Sequence, residues 1–377
     1  MIWMVNRMSE SHAPTAANRD RWYALDVLKG IGLLSMITLH VFTYWWLDPH
    51  SAYAFPVTRL SETGANWFPA FFWIACILTV FLPIAAGAAF RYFLAPALTA
   101  SGALSPEHPR GRLRTTVRRA VLIAGLGFLM NVLAWGPHAL VSWNVLQYYA
   151  VLIVLTTLIL RFGSLRWLWG LGLTSLIVAF LAAPIQAFLP DGYLSAILIG
   201  DPTTGHIWPI LPWLFIFIAG FFIAHLRLTQ PHRTTARSLA LAAVPLLLVG
   251  TLGFLLPGYA TLDLTDENIW DIASRPPTLI VLGVLGGFLL TLAALTSLEA
   301  LRRPTKPLAI LSHGILPVYL IHQVAAARVH DHVLDAHTSQ IFLLLGLLLQ
   351  YAIAFTVAYG VRYIRLDNRS KPAATNP

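Results

Sequence analysis

The sequence predicts an all-α, polytopic integral membrane protein of about ten transmembrane helices with both termini cytoplasmic. Three observations predict it. Of the 377 residues, 57% are hydrophobic and only 11% charged, with a mean hydropathy of +0.69, whereas soluble domains carry about 25% charged residues. Ten apolar runs approach the roughly 20 residues that a helix needs to cross a bilayer. The basic residues between those runs fall almost wholly on alternate connections, as the positive-inside rule requires.

The candidate spans are 24–47, 67–90, 120–135, 144–160, 167–189, 207–226, 239–256, 277–298, 307–327 and 340–361. The third and fourth are short, and read as tilted or as broken around Gly136-Pro137. With the N-terminus inside, 21 of the 25 Lys and Arg residues lie on the cytoplasmic side; Lys29 is in the membrane and Arg59, Arg275 and Arg328 lie outside. Ten of the sixteen acids lie outside, among them Asp263, Asp266, Glu267 and Asp271. Residues 1–20 read as a disordered cytoplasmic tail, 21–366 as one transmembrane domain and 367–377 as a second tail. No cleavable signal peptide is expected, because the first apolar run is long and lacks a small-residue cleavage site. No internal repeat or soluble domain is visible.

A net charge of +9 suggests nucleic acid in a soluble chain, but here loop orientation accounts for it. The Trp and Tyr residues cluster at span ends, where a membrane interface places them. No nucleic-acid partner is expected, and the lipid bilayer is the first one. Cys76 is the single cysteine, so no intrachain disulfide exists, and its apolar setting reads as an inert buried thiol.

The first span carries the chemistry. Asp26 and Lys29 are the only Asp, Glu, Lys or Arg residues within the ten spans, and His40 follows eleven residues after Lys29. Eleven steps of about 100° return a helix nearly to the same face, so Lys29 and His40 share a stripe about 16 Å long. Asp26, Met36 and Tyr44 fall near it. Ionisable groups along one face of a membrane helix mark a functional path by default. The plainer alternatives are a Lys29–Asp26 anchor that snorkels to the interface and a His40 hydrogen-bonded inside the bundle.

Counting residues from the span ends assigns depth. His40 is sixteen residues into the first span and His322 fifteen into the ninth, both running outward, so the two share the outer third of the membrane. Asn144, Gln147 and His206 begin inward-running spans at the same side, Asn131 ends the third, and His50 and His138 lie just beyond. At the opposite mouth, Arg21, Arg91, Arg118 and Arg119 stand level with Lys29. Basic side chains there suit a phosphate-rich ligand. His330, Asp331, His332, Asp335 and His337 are spaced so that they do not converge on one helical face, which argues against a metal site.

These residues carry a resemblance. RWYALDVLKGIGLLSMITLH resembles the opening of the integral-membrane acyltransferases, in which Arg-x-x-x-Leu-Asp, a basic residue, ten positions and a histidine recur. Here they are Arg21, Leu25, Asp26, Lys29 and His40, with Lys in place of the commoner Arg. Trp143 to Leu152, Pro209 to Gly220 and Leu308 to Gln323 resemble three later elements of the heparan-α-glucosaminide N-acetyltransferase-like branch. The resemblance runs from about residue 19 to 365.

It implies an enzyme that takes an acyl group, usually acetyl, from cytoplasmic acyl-CoA to an extracytoplasmic acceptor, expected to be an amine or hydroxyl of a cell-envelope glycan. In that branch the functional histidine lies shortly after the first helix, near a Tyr-Trp pair; YWWLDPH ends at His50, so His40 and His50 compete for the role, with His322 beside them. Lys29, Arg21, Asp26, Arg91, Arg118 and Arg119 are the candidates for holding acyl-CoA. Asn144, Gln147, His206 and Gln323 are the candidates for the acceptor. A thioester is already activated, so no metal is required. The expected location is a bacterial inner membrane, with a homodimer one option for assembly. The rival readings are a transporter or lipid-linked-sugar flippase with a Lys29/His40 relay, and a non-catalytic subunit whose polar stripe seats a partner helix.

Overall fold

The computed structural model describes residues 22–46, 68–98, 109–186, 188–189, 192–200, 208–255, 278–298, 302–333 and 340–370. Every element in it is helical: α1 (Tyr23–Trp46), α2 (Phe68–Thr79), α3 (Phe81–Leu94), α4 (Pro109–Trp135), α5 (Val145–Phe162), α6 (Leu165–Phe180), α7 (Ala182–Gln186), α8 (Tyr193–Ile199), α9 (Ile210–Thr229), α10 (Ala236–Leu255), α11 (Thr278–Ser297), α12 (Arg302–Leu311), α13 (Ile315–Val333) and α14 (Gln340–Ser370). Seven described segments are long and apolar enough to cross a membrane, and α12 with α13 forms an eighth that bends by 73°. The two remaining spans read from the sequence correspond to shorter apolar helices, Leu165–Phe180 and Trp213–Thr229. The chain is an all-α, multi-pass membrane protein.

Helix α1 lies at the centre. It packs against α2, α3, α11, α12, α13 and α14, and Val27, Leu28, Leu33 and Ile37 are fully buried. The outer helices show the reverse pattern. Leu241, Val244, Leu248 and Leu252 of α10 and Leu344, Leu345, Leu348 and Leu349 of α14 are exposed, as a lipid-facing surface requires. The bilayer places apolar side chains outside at no cost, so close packing has to hold the helices together.

Small residues supply that packing where α3 crosses α9. A Cβ added at Gly87 would stand 1.9 Å from the Phe217 carbonyl oxygen, and one added at Gly220 would stand 1.8 Å from that of Ile84. Each glycine therefore seats the backbone of the other helix. We expect Gly220→Ala to destabilise the protein by about 1–3 kcal/mol through overpacking, seen as a lower Tm in detergent. Gly170→Ala, where nothing lies within 4 Å of the added carbon, should leave Tm unchanged or slightly raised. Equal shifts for the two would remove the close crossing from the account.

The third span departs from its predicted bounds. α4 is 27 residues long and begins at Pro109, so the arginine-rich segment forms its first turns instead of a loop, and the apolar span runs over Leu113–Trp135. Gly136 then turns the chain with φ of 93°, a left-handed conformation that glycine adopts without strain.

Candidate functional site

The ninth span is two half-helices. The α12 half rests on α1 where Gly30 faces Leu308, whose carbonyl oxygen a Cβ on Gly30 would meet at 2.1 Å. Helix α12 then ends in a tight turn, with His313 N donating to Ile310 O and Gly314 N to Leu311 O, both at 3.0 Å. Pro317 lies in the first turn of α13, where its missing N–H costs nothing. The bend swings α13 so that His322 and Gln323 return to α1.

There His322 meets His40, with Nδ1 of His40 and Nε2 of His322 3.0 Å apart. The rings are parallel within 8°, with centroids 5.2 Å apart. The hydrogen-bond geometry fixes the tautomers. Nδ1 of His322 lies 3.0 Å from the Val318 carbonyl oxygen, which only accepts, so His322 carries its proton on Nδ1. Its Nε2 is therefore a lone pair, and His40 must donate to it from Nδ1. The unprotonated nitrogen of His40 is then Nε2, the form a general base or nucleophile needs. His322 is 1% exposed, and His40 is more accessible. The Gln323 side chain, also buried, reaches His40 as well. Two residues earlier on α1, the Thr38 hydroxyl bonds the Tyr351 hydroxyl of α14 and fixes the register of that face.

At the other end of α1, Lys29 Nζ is 3.3 Å from the carboxylate of Asp26, which is itself buried. Close by, Arg91 is buried and donates from Nε and Nη2 to Nδ1 of His225, both at 3.2 Å, above the Phe221 ring. Arg119 stacks on Phe93 at 4.1 Å and Arg227 on Trp22 at 5.4 Å. Arg118 is exposed. A ring of cations and aromatics thus joins the ends of α1, α3, α4 and α9. His225 was missed in the sequence because it closes a span just before the basic loop; its signal was the pairing of Gly87 and Arg91 with Gly220 and His225, one turn or so beyond the same crossing.

Asn144 and Gln147 do a different job from direct contact with a ligand. They form a capping box at the start of α5: Asn144 Oδ1 accepts from Leu146 N at 2.8 Å, and Gln147 Oε1 accepts from Asn144 N at 3.1 Å. Asn144 Nδ2 donates to Asn131 Oδ1 at 2.6 Å, tying α5 to α4, and Asn131 Nδ2 donates to Ser142 O. Removing such a cap costs about 1–2 kcal/mol, so Asn144→Ala should lower stability by that much. A changed acceptor KM at unchanged Tm would instead make Asn144 a ligand contact. Arg21, His50 and His206 lie outside the described residues. Among the described residues no three His, Cys, Asp or Glu side chains converge on a metal-sized site.

A buried, hydrogen-bonded histidine pair at one level of a multi-pass bundle and a basic ring at another define a membrane enzyme. Residues 21–256 match the family model described as heparan-alpha-glucosaminide N-acetyltransferase, catalytic. The chain belongs to this family of membrane acetyltransferases. A search of curated proteins finds no match. The matched region contains His40 and ends before His322, so the second histidine of the pair comes from a part of the chain that the family model does not reach.

Proposed function

We propose that the protein moves an acetyl group from cytoplasmic acetyl-CoA across a bacterial inner membrane to an amine or hydroxyl of an extracytoplasmic glycan. The observation that carries this reading is the His40–His322 pair. In the proposed reaction the acceptor attacks the thioester carbonyl while Nε2 of His40 takes its proton. The C–S bond breaks, and the departing CoA thiolate takes that proton. Nδ1 of His40 stays bonded to His322 throughout, which holds the ring in the reactive tautomer and spreads the charge of the transient imidazolium. Acyl transfer through His40 itself would use the same nitrogen.

The basic ring would hold the CoA phosphates, and about 16 Å of α1 separates Lys29 from His40, a gap the extended pantetheine arm would bridge. Lys29 enters this role already paired with Asp26, so Arg91 and Arg119 carry more of it than Lys29. Gln323 lies where the acceptor would be oriented, and Asn144 and Gln147 would serve it by fixing the start of α5. Membranes incubated with acetyl-labelled CoA should transfer label to envelope glycans only when they contain the protein. Substrate movement with no covalent label would favour the transporter reading.

A further inference from the structure

Arg91 is 4% exposed, yet among the described residues no carboxylate pairs with it. Its Nε and Nη2 both lie 3.2 Å from Nδ1 of His225. A guanidinium has only donors, so Nδ1 is the acceptor and the imidazole proton sits on Nε2. His225 therefore offers a second N–H beyond the guanidinium it holds. Nη1 of Arg91 is buried with no hydrogen-bond partner among the described residues, and so is Nε1 of Trp22. Trp22 lies under Arg227, two residues beyond His225 on α9.

The groups left over at this end are thus a guanidinium edge, an imidazole N–H and an indole N–H, all donors. Arginine keeps its charge in proteins, and a buried charge held only by a neutral ring is expensive unless an anion completes it. Lys29 does not share this condition, because Asp26 answers it. We infer that the α3–α9 crossing holds a phosphate-ester anion site, in which Nη1 of Arg91 and Nε2 of His225 donate to the phosphate oxygens. The proposed function makes the acyl donor the source of that phosphate, and the inference rests on that reading for the source alone. An anionic phospholipid headgroup offers the same chemistry.

The test uses the full chain in zwitterionic-lipid nanodiscs, with adenosine 3′,5′-bisphosphate and phosphatidylglycerol as separate probes. His225→Asn keeps an acceptor near Nδ1 for Arg91 and removes the Nε2 donor, so the fold is retained. Arg91→Lys keeps the charge and removes the fork. Both variants should bind the bisphosphate about tenfold or more weakly than wild type. If only phosphatidylglycerol retention falls in both, the anion site stands with a lipid as its occupant. A wild type that binds no bisphosphate, with lipid retention still lost in the variants, sinks the acyl-donor reading and keeps the site. Variants equal to wild type with both probes overturn the inference, whether or not the donor binds.

Discussion

His40→Gln should give a folded, membrane-inserted protein whose acetyl transfer is at least about 100-fold slower, the low end of what a general base contributes. Glutamine has the bulk and hydrogen-bonding capacity to keep the contact with His322, but no nitrogen that takes up a proton near neutral pH. A histidine that only packed α1 against α13 would tolerate it. His50→Gln belongs beside it, since the family pattern leaves the two histidines in competition. Loss with His50→Gln and wild-type transfer with His40→Gln would move the centre out to the membrane surface. The expected order is the reverse, because His40 is the residue held by a partner of fixed tautomer.

The second large effect is expected at His322, and its pattern across substitutions matters more than its size. His322→Leu removes the acceptor for Nδ1 of His40 and leaves a buried N–H without a partner. Transfer should fall by at least about tenfold, less than the roughly 10⁴-fold lost when a catalytic triad holds the wrong tautomer, because His322 is neutral where that orienting group is an anion. His322→Gln can still present an oxygen to Nδ1 of His40 and should recover much of the loss. The fall should appear in kcat with little change in KM for the donor, since the donor's phosphates are held at the other end of α1. Equal activities for Leu and Gln, with Tm lowered alike, would make His322 a packing residue. Kinetics of the purified variants, read beside their melting curves, separate the two outcomes.

Much of this arrangement was legible in the sequence, because membrane helices expose their constraints. The span pattern follows from the cost of burying polar groups in lipid, and the eleven-residue spacing of Lys29 and His40 follows from helical geometry. Counting residues into oppositely placed spans was enough to put His40 and His322 at one level, and they are 3.0 Å apart. The 73° bend between α12 and α13 was hidden because Ser312, His313 and Gly314 interrupt the apolar run too briefly to change its hydropathy. The start of α4 was placed late for a related reason: arginines 110–119 were assigned to a loop, although long basic side chains reach the interface readily from a helix.

Polar residues at the span ends were the harder problem. Asn144 and Gln147 carry the Asn-x-x-Gln spacing of a capping box, but polar residues near a membrane surface also suggest a binding site, and the hydrogen bonds distinguish the two. Lys29 was read as a phosphate ligand from its depth, whereas its partnership with Asp26 is a local i, i+3 contact that the same stretch already contained. Arg91 and His225 depend on where two distant helices cross, which glycine spacing marks on each helix without saying which crossing it belongs to.

The central claim is that His40 drives transfer of an acetyl group from a donor on one side of the membrane to an acceptor on the other. Sealed vesicles of known orientation test it most directly, with acetyl-labelled CoA confined to the cytoplasmic face and an amine or hydroxyl glycan confined to the opposite face. The account predicts labelled acceptor with the wild-type protein, and at least about 100-fold less with His40→Gln at equal insertion. Equal labelling by the variant, or labelling only when donor and acceptor share one compartment, would contradict it.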